Sequence, residues 1–381
     1  MSLAVFPFKD EDPRLVIANL GEAASHPRID EVWAVASEEG PLTRIVEAGA
    51  AAIGADMGKP VQVVHQERIG VYRPGKGDAM NTAIRLAAGQ GRERVHFYDA
   101  DITNFDASWI DGAEQAADRG YGVIRHRFPR AATDAMITWM VTRPGFALLF
   151  PGTFLPRLNQ PLGGEVLLSR AALEALADSD MVTSRSDWGI DTVITFVTST
   201  LGIGLYEHLV ADGKRHTLYG SLEELRSMVV ECLDALAGLA GLQGPDPSAR
   251  HGSDPPAPVP DDLKRTVAYD LDSTLPLLSS GWTDEEVALT AGLPRGIRDG
   301  LNPAIERADV AFMDAPAWSE TLQFLLSGFR LGDRAWESLA FRLWLARVVS
   351  YTTNQAQAGY DHAIDYLEAT IREYESLGDH S

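Results

Sequence analysis

The sequence predicts an α/β fold with a mostly parallel sheet, followed by an α-helical domain, and three observations carry that prediction. Across the first 125 residues, short β-rich runs alternate with helix-period stretches. Strands alternating with helices make βαβ units, whose right-handed crossovers leave the strands parallel. Beyond residue 260 only helical periods occur. Between them, residues 243–260 hold six prolines and neither period, the composition of a linker or an extended surface segment. The expected division is therefore 1–242, a Pro-rich linker over 243–260, and a helical domain over 261–381.

Taken in order, Leu3–Phe6, Glu31–Ala36, Val61–Val64, Val95–Tyr98 and Gly122–Arg125 read as strands. Helix-period segments lie near 14–25, 41–53, 78–89 and 107–118, with further helical stretches at 134–149, 171–178 and 188–200 and a strand at Ile203–Glu207. Ser221 with Glu224 has capping-box spacing and opens an apolar stripe through Leu225, Val229, Cys232 and Leu236. Cys232 falls on that stripe and is expected to pack. Thr283/Glu286 repeats the spacing, and apolar periods follow through 316–327, 335–350 and 362–374.

Composition narrows the function. With 381 residues, 45% apolar, the chain is too apolar for disorder and long enough for two cores. A net charge of −21 argues against extended polyanions, so neither nucleic acid nor an anionic membrane surface is expected as a partner. One cysteine excludes an intramolecular disulfide and a Cys-based zinc site. The start, MSLAVFPFKDEDPR, lacks a basic n-region, and Arg143 interrupts the best apolar run. A soluble, cytoplasmic protein is expected, with homo-oligomerisation left open.

The sharpest local signal is Val95-His-Phe-Tyr-Asp99-Ala-Asp101, a strand ending in two carboxylates at the edge where α/β sheets bind ligands. Residues so spaced lie roughly 6–7 Å apart at Cα. Such a pair suits a divalent cation whose shell is completed by diphosphate oxygens. Asp99–Thr103 also matches the nucleophile loop of phosphatases resembling the haloacid dehalogenase family, and Tyr269-Asp270-Leu-Asp272-Ser-Thr274 matches it better. That chemistry needs a later lysine, yet none follows Thr274, and Lys214 and Lys264 lack the expected setting. Asp270–Leu275 is expected to be helical.

Pro74-Gly75-Lys76-Gly77-Asp78 precedes a helix and would expose backbone N–H groups to an anion, although Gly77 stands where a P-loop needs Ser or Thr. Arg125-His-Arg127-Phe-Pro-Arg130 concentrates positive charge, either for carboxylate or phosphate recognition or for surface ion pairs. Gln160-Pro-Leu-Gly163-Gly164-Glu165 combines a Gly-Gly turn with an acid, and Asp187-Trp188-Gly-Ile-Asp191 opens a helix with two acids. His216, in Lys214-Arg-His216, is a candidate third metal ligand.

Together these segments resemble the mannosylglycerate synthase family, retaining glycosyltransferases with the GT-A nucleotide-sugar-binding fold. The likeness runs through FPFK at 6–9, RPGKGDAMNTA at 73–83, HFYDADIT at 96–103 and FPRAATDAMITWM at 128–140. It continues through QPLGGE at 160–165, RSDWGIDT at 185–192 and GKRHTLYG at 213–220, whereas 37–58 matches only loosely. The resemblance implies transfer of mannose from GDP-mannose to the 2-hydroxyl of D-glycerate, or to lactate or glycolate, giving the compatible solute mannosylglycerate. By the same likeness, Asp101 and His216 would bind Mg²⁺, Mn²⁺ or Ca²⁺, with Asp99 at the ribose or the metal shell. Lys9, Glu11, Gln66 and Lys76 would hold the nucleotide, and Leu162, Gly163, Asp191, Tyr219 and Met228 the mannose. Arg130, Ala135 and Thr138 would meet the acceptor.

Retention needs a covalent enzyme intermediate or attack from the leaving-group face. Glu165 and Asp191 are the acids in question, and same-face attack with Asp191 orienting the sugar is the favoured route. The alternatives are another nucleotide sugar, a 3-phosphoglycerate acceptor, or a sugar-nucleotide-binding protein without turnover.

Overall fold

The computed structural model describes residues 2–216, 221–279, 281–307 and 309–378, with 302–307 described at the backbone only. Its contacts separate two compact units, one of 1–128, 159–217 and 248–257, the other of 129–158, 218–247 and 258–381. The chain thus enters each unit more than once.

The first unit is built on one eight-stranded sheet. In chain order its strands are β1 (Ser2–Phe8), β2 (Ile29–Ala36), β3 (Val61–His65), β4 (Arg94–Phe97), β5 (Val123–Arg127), β6 (Val166–Ser169), β7 (Leu205–Leu209) and β8 (His251–Ser253). Across the sheet the order is β3-β2-β1-β4-β6-β5-β7-β8. All neighbours are parallel except β6, which runs antiparallel to β4 and β5. Leu3, Ala4, Val5 and Phe6 of β1 are fully buried, as a central strand covered on both faces requires. Phe6, Tyr98, Phe105 and Trp109 form an aromatic cluster beneath the carboxyl edge, with Phe6 and Phe105 edge-on at 5.5 Å.

Two parts of this sheet depart from the sequence expectation. β6 is four residues long, and so short an apolar run carries no readable period. β8 lies inside the segment expected to be a linker. There Asp254 receives the Tyr206 hydroxyl at 2.6 Å and Leu209 N at 2.8 Å, and it pairs with His208 at 2.7 Å, so side chains stitch this prolyl segment to β7.

The second unit is helical. Its longest helix, Arg334–Asn354, is buried along most of its length. Trp318 donates its indole N–H to Met140 O at 2.6 Å, and Tyr351 donates its hydroxyl to Ala132 O at 2.8 Å. Arg143 lies under the surface and meets Glu368 through two 2.9 Å bonds. The helix expected over 134–149 forms, but with a π-helical turn at Thr138–Thr142. At Ser221 the expected side-chain cap is absent, because the segment begins with a 3₁₀ turn at Leu222–Leu225. Thr283 and Glu286 do form a reciprocal capping box. Asp270 accepts from the N–H groups of Asp272 and Ser273 at the start of Leu271–Ser279, a helix-opening role, as expected. Cys232 is fully buried. Among the described residues, no helix is long and apolar enough to cross a membrane.

Candidate active site

The carboxyl edge of the sheet gathers most of the site residues predicted for the first unit. β1 runs out into Lys9 and Glu11, β3 into Gln66, β4 into Asp99 and Asp101, and β7 into Lys214 and His216. Because β6 is antiparallel, its start lies at this same edge and delivers Gly163, Gly164 and Glu165. The two chemistry-bearing turns are tied to each other. Thr103 N donates to Arg215 O at 2.7 Å, Arg215 N to Asn104 Oδ1 at 2.7 Å, and Asn104 Nδ2 to Gly213 O at 3.0 Å.

That lacing sets two charge groups side by side. His216 Nδ1 lies 3.8 Å from Asp101 Oδ2, a carboxylate–imidazole pair. Asp99 is held differently, with Lys76 Nζ 2.5 Å from one oxygen and Lys214 Nζ 2.5 Å from the other. Lys214 also reaches Glu165 at 2.6 Å. Burial would raise the Asp99 carboxyl, but Lys214 and then Lys76 hold it well below the usual carboxylate range. Burial would likewise discharge Lys76, yet Asp99, Asp191 and Glu165 keep its ammonium more basic than usual. Glu165, 1% exposed, is raised by burial. Burial also raises Glu11, which accepts Lys9 N at 2.6 Å, with the Asp101 charge contributing less.

Several polar atoms at this edge make no hydrogen bond among the described residues. Gln66 Oε1, Ser37 Oγ and Asp191 Oδ1 are buried without a hydrogen bond among the described residues. Orphaned buried polar atoms are rare, and at a sheet's ligand edge they mark places a ligand can fill. Asp191, 3% exposed, is raised by burial to about 6. Arg125 supports it from below. Its basic run left anion recognition and surface ion pairs both open, and Arg125 is fully buried, bonding Gly163 O at 2.5 Å and Asp191 O at 3.1 Å, with its Nη1 3.6 Å from Asp191 Oδ1. It braces both the Gly163 turn and the start of the helix at Ile190–Thr200. Leu162 is half-buried in the same turn.

The glycine-rich turn opens its helix against groups of this chain. Lys76 N donates to Asp187 Oδ1 at 3.2 Å and Asp78 N to Ser186 O at 2.9 Å, so groups of this chain occupy the helix start. A Cβ on Gly77 would fall 2.6 Å from Asp187 N and 2.6 Å from Ser186 C. The glycines let the 185–187 backbone lie against the turn that aims Lys76. Gly77→Ala is expected to destabilise the protein by about 1–3 kcal/mol through overpacking against backbone. A denaturation midpoint equal to that of the parent would show that the 185–187 loop yields freely. At Gly164 a Cβ would stand 2.1 Å from Lys76 Nζ and 2.6 Å from Asp99 Oδ1, so a side chain there would displace that ion pair.

The remaining predicted residues lie in the second unit or outside the described set. Arg130 bonds Asp134 at 2.8 Å, and the other oxygen of Asp134 accepts Ala135 N at 2.6 Å. Ala135 has φ +54°, a left-handed conformation unusual for a residue with a side chain. Thr138 is buried and opens the π turn. Met228 is half-buried in the helix Arg226–Leu239. Tyr219 lies outside the described residues. Sequence reasoning missed the part Lys214 takes. The available signal was its place two residues before His216 in a chain with only five lysines.

Comparison with known proteins places the chain in a family. A family model for the mannosylglycerate synthase GT domain matches residues 2–238, and one for the C-terminal domain of that synthase matches 263–371. The chain is 47% identical to the mannosylglycerate synthase of Rhodothermus marinus over 98% of this chain and 94% of that protein. It is 43% identical to the mannosylglycerate synthase of Selaginella moellendorffii, over 98% and 89%. Glucosyl-3-phosphoglycerate synthase of Mycobacterium tuberculosis, solved with phosphoglyceric acid, superposes with a TM-score of 0.51 at 20% identity, covering 64% of this chain and 81% of that one. That structural likeness shows the fold, a GT-A-like sheet, and the two matched domains with near-full-length identity show more: this chain is a glycosyltransferase belonging to the mannosylglycerate synthase family.

Proposed function

We propose that this enzyme transfers mannose from GDP-mannose to the 2-hydroxyl of D-glycerate with retention, forming mannosylglycerate. The observation that carries the reading is the Asp101–His216 pair set beside the Lys76–Asp99–Lys214 network at the carboxyl edge of the sheet. The names of the two relatives support the product, and the orphaned Gln66 and Asp191 oxygens support a polar ligand at this edge.

A hard divalent cation fits the donor set, one carboxylate and one imidazole, with room in its shell for diphosphate oxygens and water. When bound, it would neutralise charge gathering on the departing diphosphate. Lys9, Glu11, Gln66 and Lys76 would hold the nucleotide, with Asp99 at the ribose or the metal shell. Leu162, Gly163, Asp191, Tyr219 and Met228 would surround the sugar.

As the anomeric C–O bond breaks, its electron pair stays on the β-phosphate oxygen. The glycerate 2-hydroxyl oxygen bonds the anomeric carbon from the same face, and its proton passes to that departing oxygen. Asp191 would orient the sugar and stabilise positive charge at its ring. Glu165 is already engaged by Lys214, which favours this route over a covalent sugar–Glu165 intermediate.

Product NMR after incubation with GDP-mannose and D-glycerate tests the assignment, with D-lactate, glycolate and 3-phosphoglycerate as parallel acceptors. An α-linked product on glycerate is expected. Transfer only to the phosphorylated acceptor, or hydrolysis alone, would refute it. Arg130, read as the clamp on the acceptor carboxylate, gives a second check. Arg130→Ala should raise the glycerate KM by about 10–100-fold, the scale of a lost charge-assisted bond. The GDP-mannose KM should stay within about twofold, because only binding of the acceptor is impaired. An equal rise in both constants would mean that Arg130 does not clamp the acceptor.

A further inference from the structure

The ion network contains more cationic charge than a single nucleotide lysine explains. Lys214 is 10% exposed at its side chain and holds Asp99 Oδ2 at 2.5 Å and Glu165 Oε1 at 2.6 Å. Sequestering a lysine between carboxylates away from water is costly, and replacing such groups by apolar ones is often neutral or stabilising. Its position is also fixed from both sides, since the 213–215 backbone is laced to Thr103 and Asn104. A preorganised cation is of most use where negative charge develops during reaction.

We propose that Lys214 is a catalytic residue that meets the β-phosphate of the departing nucleoside diphosphate, sharing that task with Lys76. The inference rests on the nucleotide-sugar reading of this edge. Before the donor arrives, Asp99 bridges the two ammonium groups, one on each oxygen. Once Asp99 turns to the ribose or the metal shell, both lysines are released toward the diphosphate, and Glu165 keeps Lys214 from swinging into solvent. When the anomeric C–O bond breaks, the leaving group gains one negative charge on its terminal phosphate oxygen. Lys214 binds that charge without transferring a proton. Glu165 is then a positioning residue acting through Lys214.

The test compares Lys214→Met and Lys214→Arg with the parent enzyme at saturating Mg²⁺, after circular dichroism and thermal melts confirm folding. Binding of GDP, GMP and guanosine is measured by calorimetry, and kcat with GDP-mannose and glycerate. Lys214→Met should lose about 10–100-fold in GDP affinity, the scale of a charge-assisted bond. GMP and guanosine affinities should hold within about threefold, and kcat should fall by about 10²–10³-fold, the scale of a lost transition-state donor. Lys214→Arg should recover part of both. Equal losses for GDP, GMP and guanosine would assign Lys214 a purely structural role and overturn the proposal, as would unchanged GDP affinity and kcat. If the parent enzyme prefers uridine or adenosine nucleotides, the GDP-mannose reading fails. The diphosphate-over-monophosphate comparison in that base series still tests Lys214.

Discussion

Asp101→Ala is expected to reduce sugar transfer at least about 10³-fold, because it removes the carboxylate that would anchor a divalent cation against the leaving diphosphate. His216 cannot substitute alone. A neutral imidazole binds hard cations such as Mg²⁺ poorly, and a carboxylate supplies both the charge and the preferred oxygen donor. The pair is 3.8 Å apart and its two turns are tied backbone to backbone, so the loss should be local rather than a collapse of the edge. A chelator should reproduce the effect in the parent enzyme, with activity returning on adding back Mg²⁺ or Mn²⁺. GDP binding should become metal-independent in Asp101→Ala. Near-normal turnover in the chelated parent would remove the metal-assisted mechanism, and Mg²⁺-dependent GDP binding in the variant would place the ion elsewhere.

How much of this site could be read beforehand follows from the physics of each residue. Asp99 and Asp101 were legible because a strand ending in two acids has few uses, and the parallel sheet says where strand ends meet. Gly75-Lys76-Gly77 was legible as a helix start but not in purpose. Its glycines answer to the 185–187 backbone, which lies more than one hundred residues away and leaves no local trace. Arg125 was left between anion recognition and surface pairing for the same reason. Charge density along the chain reads as surface, whereas its guanidinium is sealed against Gly163 and Asp191 carbonyls. β6 escaped because three apolar residues and a serine carry no period, and with it went the means by which Glu165 reaches the edge. The net charge of −21 also changes meaning. It describes a surface that repels extended polyanions, while Lys76 and Lys214 are two sheltered cations held by Asp99 and Glu165 within it.

Asp191→Asn should separate function from stability in opposite directions. Burial raises the Asp191 carboxyl to about 6, and one of its oxygens has no hydrogen bond. If the carboxylate stabilises charge on the sugar ring, kcat should drop by about 10²–10³-fold in Asp191→Asn. The parent kcat/KM should fall as pH drops through about 6, where the free enzyme gains the proton, and the variant should lack that acid limb. Stability moves the other way. Below the unfolded value near 4, the carboxyl is protonated in both folded and unfolded chains and exacts no cost. As pH rises from there through 6, the unfolded chain ionises first, so the stabilising protonated state is progressively lost. Above 6 the folded protein carries a buried charge. A rise from 3.8 to about 6 corresponds to roughly 3 kcal/mol by this linkage. Asp191→Asn should therefore equal the parent in stability near pH 4 and exceed it at pH 8, read from urea midpoints at each pH. A variant that is less stable at pH 8, or that keeps the acid limb, would show that Asp191 is structural and that another group titrates. A more stable but crippled variant would identify Asp191 as a charge retained for the reaction at the expense of the fold.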